Sequence, residues 1–148
     1  AKRNDNLRSY IVKATGGLAF MGLLPFLLIV LFGPLMFGFI FGNDWTRAGE
    51  YSRWLAIWLY FGFIHVPALK AIPLLGLQKE LLRYSLLSTL IQTGVLIFSL
   101  LVLKNDLIAV ALYSLVGAFF YIILMVYIIL KSKNCLREDF KQYVEKKV

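Results

Sequence analysis

Acidic residues, cysteine and histidine are all scarce in this chain. The one cysteine, Cys135, lies in a polar stretch, so no internal disulfide can form. With no second Cys and no His beside it, an incidental free thiol is the ordinary reading. The one histidine, His65, leaves no paired imidazole ligands and no H-E-x-x-H. There is also no G-x-S-x-G and no Gly-rich phosphate loop followed by Lys. No catalytic constellation is visible, and neither cofactor nor enzyme chemistry is expected. Charged residues of either sign make up only 16% of the chain, whereas hydrophobic residues make up 60%. An ordinary soluble domain is roughly half apolar and needs far more polar surface than this.

The apolar residues come in long blocks, and the charges sit between them. A bilayer selects such segregation, because its core offers no partner to a charge or an open backbone group. Residues 14–41 carry no charge but are interrupted at Gly33-Pro34. About 20 residues at ~1.5 Å rise cross a ~30 Å hydrocarbon core, so 12–32 suffices for a first span. Pro34 removes a donor and restricts Gly33, so the helix should end there. Residues 35–41 then read as a short interfacial helix or loop, and Pro25 should kink the span.

A polar stretch, 42–53, precedes the second block, whose helix can begin near Thr46 and reach Lys70. Pro67 and Pro73 should make its far end irregular. The third block, 84–103, and the fourth, 107–130, are uncharged and separated only by Lys104-Asn105-Asp106, a tight turn. The expected fold is all-α: a polytopic bundle with about four spans near 12–32, 47–70, 84–103 and 107–130. It comprises a membrane domain, 1–130, and a charged tail, 131–148. Ala1 to Tyr10 have no apolar core or cleavage site, so no signal peptide is expected.

Short-flank Lys and Arg set the orientation. Four spans place the N-terminus, the middle connection and the C-terminus on one side. That side collects Lys2, Arg3, Arg8, Lys13, Lys70, Lys79, Arg83, Lys131, Lys133, Arg137, Lys141, Lys146 and Lys147. The other side has Arg47, Arg53 and Lys104. Both termini are therefore expected in the cytoplasm. Trp45, Tyr51, Trp54 and Trp58 read as aromatic anchors at the outer interface, and Tyr10 and Tyr84 as anchors at inner ends. The net charge of +8 flanks spans instead of forming one surface, so nucleic acid is not an expected partner, whereas membrane lipid is.

Polar residues inside the spans are the candidates for function. His65 lies within the second block, and an ionisable group at that depth is a functional candidate by default. It can be a neutral imidazole bonded to a neighbouring helix, or it can line a polar cavity. In the third block Ser85, Ser88, Thr89, Gln92 and Ser99 recur at spacings of three, four and seven, on one helical face that Thr93 widens. That stripe should turn from lipid, either bonding across helices or wetting a path for substrate. Ser114, Gly117 and Ala118 in the fourth block have the small-residue spacing of close helix packing. No Asp or Glu lies inside any block, which argues against small proton-coupled four-helix drug exporters, since these need an embedded carboxylate.

The residues after the first block carry a resemblance. Phe41-Gly42-Asn43-Asp44-Trp45-Thr46-Arg47-Ala48-Gly49-Glu50-Tyr51 resembles the FG-x-x-W-x-x-A-G-x-Y signature of bacterial polysaccharide flippases of the O-antigen type. These export lipid-linked oligosaccharide and share a superfamily with the multidrug and toxin extruders. Leu75-Gly76-Leu77-Gln78-Lys79 is similar to the family's cytoplasmic LG-x-Q-K connection, and residues 111–117 continue the likeness. The signature residues Phe41, Gly42, Trp45, Ala48, Gly49 and Tyr51 also have a structural reading. Gly42 ends a helix, Asn43 or Asp44 caps the next, and Trp45 and Tyr51 lie at headgroup level.

The resemblance implies a transporter of about twelve helices in two lobes that rock around a central cavity. This chain would match its last four helices, and the lack of an initial Met fits a piece of a longer protein. Expected partners are lipid-linked oligosaccharide and the N-terminal helices of the parent or other subunits, in the bacterial inner membrane. His65, Ser85, Ser88, Thr89, Gln92 and Ser99 are the candidate path-lining residues. An extruder of the same superfamily and a non-transporting four-span scaffold are the alternatives.

Overall fold

The computed structural model describes residues 2–73 and 76–145, with side chains over 9–73 and 76–131. Leu75, Cys135 and the outermost basic side chains thus lie outside the described set. The order is α1 (Lys2–Phe41), a 3-10 turn (Asn43–Trp45), α2 (Thr46–Ile64), α3 (Val66–Ala71), α4 (Gln78–Phe98) and α5 (Asp106–Glu145). A π-helical turn, Ser99–Leu103, prolongs α4. No strand occurs among the described residues. Four stretches are long and apolar enough to cross a membrane: Ser9–Phe41, Asn43–Ala71, Gln78–Leu103 and Asp106–Lys131.

The first span departs from its expected end. α1 does not stop at Gly33-Pro34 but runs on to Phe41, and Gly42 at φ 100° ends it. The reason lies in α2. Pro34 has no N–H, so the Val30 carbonyl loses the donor it would have four residues on. Arg53 supplies the missing bond, with Nε donating to the Val30 carbonyl at 2.6 Å and Nη2 to that of Leu31 at 3.2 Å. A helix can carry proline in lipid where a neighbour satisfies the freed group.

Gly33 has a second use. A Cβ on it would stand 2.8 Å from the Gly49 carbonyl, and a Cβ on Gly49 would stand 2.5 Å from Pro34 Cα. The two backbones touch, and neither glycine can be replaced without parting them. Gly42 ends the helix before it as expected, but Asn43 and Asp44 do not cap α2. Its N-cap is Trp45, which makes no side-chain cap bond, because an indole has no acceptor to offer the first N–H groups of the helix.

Pro67 interrupts the second span as expected, since it cannot donate to the carbonyl one turn back. The chain breaks at His65 and resumes as α3, which buries Pro67, Ala68 and Ala71. Here Ile11, Ala68, Ala71, Ile72, Leu77, Leu124 and Ile128 form the buried core. At the opposite end Lys104 takes a left-handed conformation at φ 48°. The Asn105 side chain caps α5, accepting from the Leu107 N–H at 3.1 Å and the Ile108 N–H at 3.3 Å. The charged tail prolongs α5 to Glu145.

Elsewhere most buried residues are small, including Ala56, Ala109, Ala111 and Ala118, while large side chains such as Phe20, Phe39 and Leu101 are exposed. Lipid competes for large apolar groups, so helices associate best through small ones. Arg53→Met leaves the Val30 carbonyl without a donor, for an expected loss of about 1–3 kcal/mol. Denaturant unfolding in detergent micelles measures it, and an unchanged midpoint would deny the guanidinium this role.

Candidate functional site

α4 packs chiefly on α5 and stands away from α2. Between α2 and α4, with α5 as its floor, lies an open groove of about 370 Å³. One wall is the polar face of α4, with Ser85, Ser88, Thr89, Gln92 and Thr93. The other wall and floor carry Trp58 and His65 of α2 and Tyr113, Phe120 and Tyr121 of α5. The structure therefore gathers His65, Ser85, Ser88, Thr89 and Gln92 into one place. Ser99 is not among them. Close to the two-residue turn at Lys104-Asn105, α4 has not yet diverged from α5, and Ser99 is fully buried.

His65 is buried, but its partner is not the neighbouring helix that the neutral-imidazole reading named. Nδ1 lies 2.6 Å from the Gly62 carbonyl on its own helix. A carbonyl only accepts, so Nδ1 carries the hydrogen and Nε2 is left as an acceptor in the neutral ring. The imidazole also stacks on Tyr121, with centroids 4.4 Å apart and planes at 22°.

Trp58 is not an interfacial anchor. It lies twelve residues beyond Thr46, about 18 Å along the helix. Its ring meets Tyr113 edge-on at 5.3 Å and runs parallel to Tyr121 at 6.2 Å, within 8°. Two glycines admit these rings. A Cβ at Gly62 would meet Tyr121 at 3.1 Å, and one at Gly117 would stand 2.5 Å from Trp58 Nε1 and 2.8 Å from Gln92 Oε1. Tyr113, Gly117 and Tyr121 fall four residues apart, on one face of α5. This aromatic wall is not among the sequence-based expectations, and that spacing is the signal from which it could have been found.

Trp58 Nε1 and Gln92 Oε1 are enclosed and have no hydrogen-bond partner among the described residues. The indole N–H is a donor and the amide oxygen an acceptor. Ser88 bonds back to the Ser85 carbonyl at 3.0 Å, and the Tyr84 hydroxyl donates to the Phe120 carbonyl across to α5. No Asp, Glu, Lys or Arg lines the groove. Among the described residues no group of three His, Cys, Asp or Glu is placed to hold a metal ion.

The signature-like residues lie at the other end of α2. Phe41 and Trp45 are exposed and pack ring on ring at 5.7 Å, while Ala48 is half-buried and Gly49 touches α1. Tyr51 donates its hydroxyl to the Asp106 carboxylate and accepts from Arg47 Nε at 3.1 Å. Arg47 Nη2 in turn pairs with Asp106, at 2.7 and 2.9 Å from its two oxygens. The cluster fastens the start of α2 to the start of α5, well away from the groove.

Gly117→Ala tests how tightly the groove floor is built. The added methyl would force Trp58 and Gln92 apart, for an expected loss of about 1–3 kcal/mol. Gly94→Ala, where a Cβ meets nothing within 4 Å, should be neutral or slightly stabilising. Equal unfolding midpoints for the two variants would show the floor to be loose.

No protein family, curated protein or solved structure matches this chain, so the geometry must carry the functional reading.

Proposed function

We propose that this chain is the C-terminal membrane segment of a flippase that carries lipid-linked oligosaccharide across the bacterial inner membrane by alternating access. The observation that supports it is the groove of α2, α4 and α5: an uncharged, hydroxyl-, amide- and aromatic-lined recess that runs from the α3 end of the candidate spans to about their middle. Polar groups at that depth are expensive unless they meet partners, so an amphiphilic cargo with hydroxyls to offer accounts for them. An extruder of organic cations would be better served by a carboxylate, and none lines the groove. A scaffold would have no use for an open polar recess. The resemblance at residues 41–51 points the same way, and no covalent step is involved.

Deleting the gene should abolish surface polysaccharide and accumulate inward-facing lipid-linked precursor, with the full-length protein restoring export. Surface polysaccharide unaffected by deletion would end this reading. In the restored strain His65→Ala should reduce export if the ring lines the path, and intact export would reduce it to packing.

The proposed topology puts both termini and the 76–83 connection in the cytoplasm. In a Cys135→Ser background, Lys104→Cys should react with an impermeant maleimide in intact cells. Lys79→Cys should react only after permeabilisation. The reverse pattern would invert the topology.

A further inference from the structure

The groove has a feature that helix packing leaves without purpose. Trp58 Nε1–H and Gln92 Oε1 converge above Gly117, each within 3 Å of where its Cβ would be, and neither has a partner among the described residues. Atoms that close to one point can share a single oxygen, which reaches them once the Trp58 or Gln92 side chain turns from the enclosed floor toward the groove. The bridging group must accept from the indole and donate to the amide. A hydroxyl does both with one oxygen, whereas an ammonium cannot accept from the indole and an ionised phosphate or carboxylate cannot donate to the amide.

The surroundings narrow the ligand further. Trp58, Tyr113, Tyr121 and His65 form a continuous aromatic wall, facing Ser85, Ser88, Thr89 and Thr93 of α4. A sugar ring has this division: C–H faces that lie against aromatic rings, and an edge of hydroxyls for amides and alcohols. The volume of about 370 Å³ falls within the ~300–1,000 Å³ of small-ligand sites. No full charge lines the recess to neutralise a pyrophosphate or an acidic sugar, and leaving such an anion unpaired at this depth is costly.

We propose that the groove between α2 and α4 is a subsite for one uncharged sugar ring of the transported glycan, with Trp58 Nε1–H and Gln92 Oε1 sharing one of its hydroxyls. The inference rests on the flippase reading and adds to it the part of the cargo that this chain recognises. It assigns the sugar to these residues and leaves the anionic pyrophosphate outside the groove.

The test uses the full-length protein in nanodiscs. The probes are a short-chain polyprenyl pyrophosphate bearing an uncharged disaccharide and the same lipid bearing a uronic-acid disaccharide. Trp58→Phe keeps a ring but removes the N–H, and Gln92→Leu removes the amide. Each should weaken binding of the uncharged glycan lipid by about tenfold, the worth of one or two hydrogen bonds. The double variant should lose less than the product of the two, because both atoms hold one hydroxyl. The wild-type protein should prefer the uncharged probe, and Ser114→Ala, buried outside the groove, should bind as wild type. Thermal unfolding of each variant keeps misfolding apart from lost recognition.

Folded single variants that bind the uncharged probe like wild type would overturn the subsite, while gene deletion could still uphold the flippase reading. Equal or better binding of the acidic probe would also overturn it. A wild-type protein that binds neither glycan lipid would overturn the subsite too, and deletion with polysaccharide intact would overturn the flippase reading itself.

Discussion

The bundle depends on one backbone contact, where α1 and α2 cross at Gly33, Pro34 and Gly49 with no side chain between them. Between helices in lipid there is little hydrophobic gain, so dispersion across a close approach and hydrogen bonds must hold them. Gly33 and Gly49 provide the approach. Pro34 would spoil it by stranding the Val30 carbonyl, but Arg53 lies one turn beyond Gly49 and reaches across to bond it. The contact also fixes the rotation of α2. Trp58 follows Gly49 by nine residues, which at about 100° per residue places it on the opposite face, with Gly62 and His65 close to the same direction. Seating Gly49 on α1 thus aims the aromatic side of α2 at α5.

What the sequence disclosed follows from the range over which each cause acts. Uncharged blocks bounded by Lys, Arg and Asp reveal spans, because the bilayer acts on each residue separately. The tight turn at Lys104-Asn105 and the break before Pro67 were legible for the same local reason. Pro34 was misread because its local rule is sound but incomplete: the donor that overrides it is nineteen residues away on another helix. Trp58 was misread because tryptophan near charged residues resembles an interfacial anchor until α5 is in place. The polar stripe of α4 could be found from spacing alone, since it belongs to one helix. Ser99 kept the spacing but lost the groove, because α4 and α5 converge toward the turn that joins them. The two unpartnered atoms above Gly117 could not be foreseen, as they belong to different helices and meet over a third.

The two ends of α2 divide the labour. Near Thr46, Arg47, Tyr51 and Asp106 use charge and hydroxyl to tie α2 to α5 in exposed positions. The residues resembling the flippase signature thus hold the hairpin of α1 and α2 in place, with Gly42 turning the chain and Gly49 making the crossing. Farther along α2, partners change to rings and neutral dipoles. A full charge there would need a permanent counter-charge, and none lines the groove.

The choice of Ser, Thr and Gln over charged residues on α4 matters most when the groove is empty. A hydroxyl on a helix can fall back on its own backbone, as Ser88 does on the Ser85 carbonyl, and so avoids the full cost of an unpaired polar group in a dry environment. A carboxylate has no such refuge. Under the proposed transport role, a recess filled and emptied inside a bilayer works best with groups whose unliganded state is tolerable and whose liganded state is moderately better. Trp58 Nε1 and Gln92 Oε1 are the exceptions, with no fallback among the described residues. Because their unliganded state is the costly one, the proposed shared hydroxyl would gain the most there, and discrimination in the proposed subsite would concentrate on those two atoms.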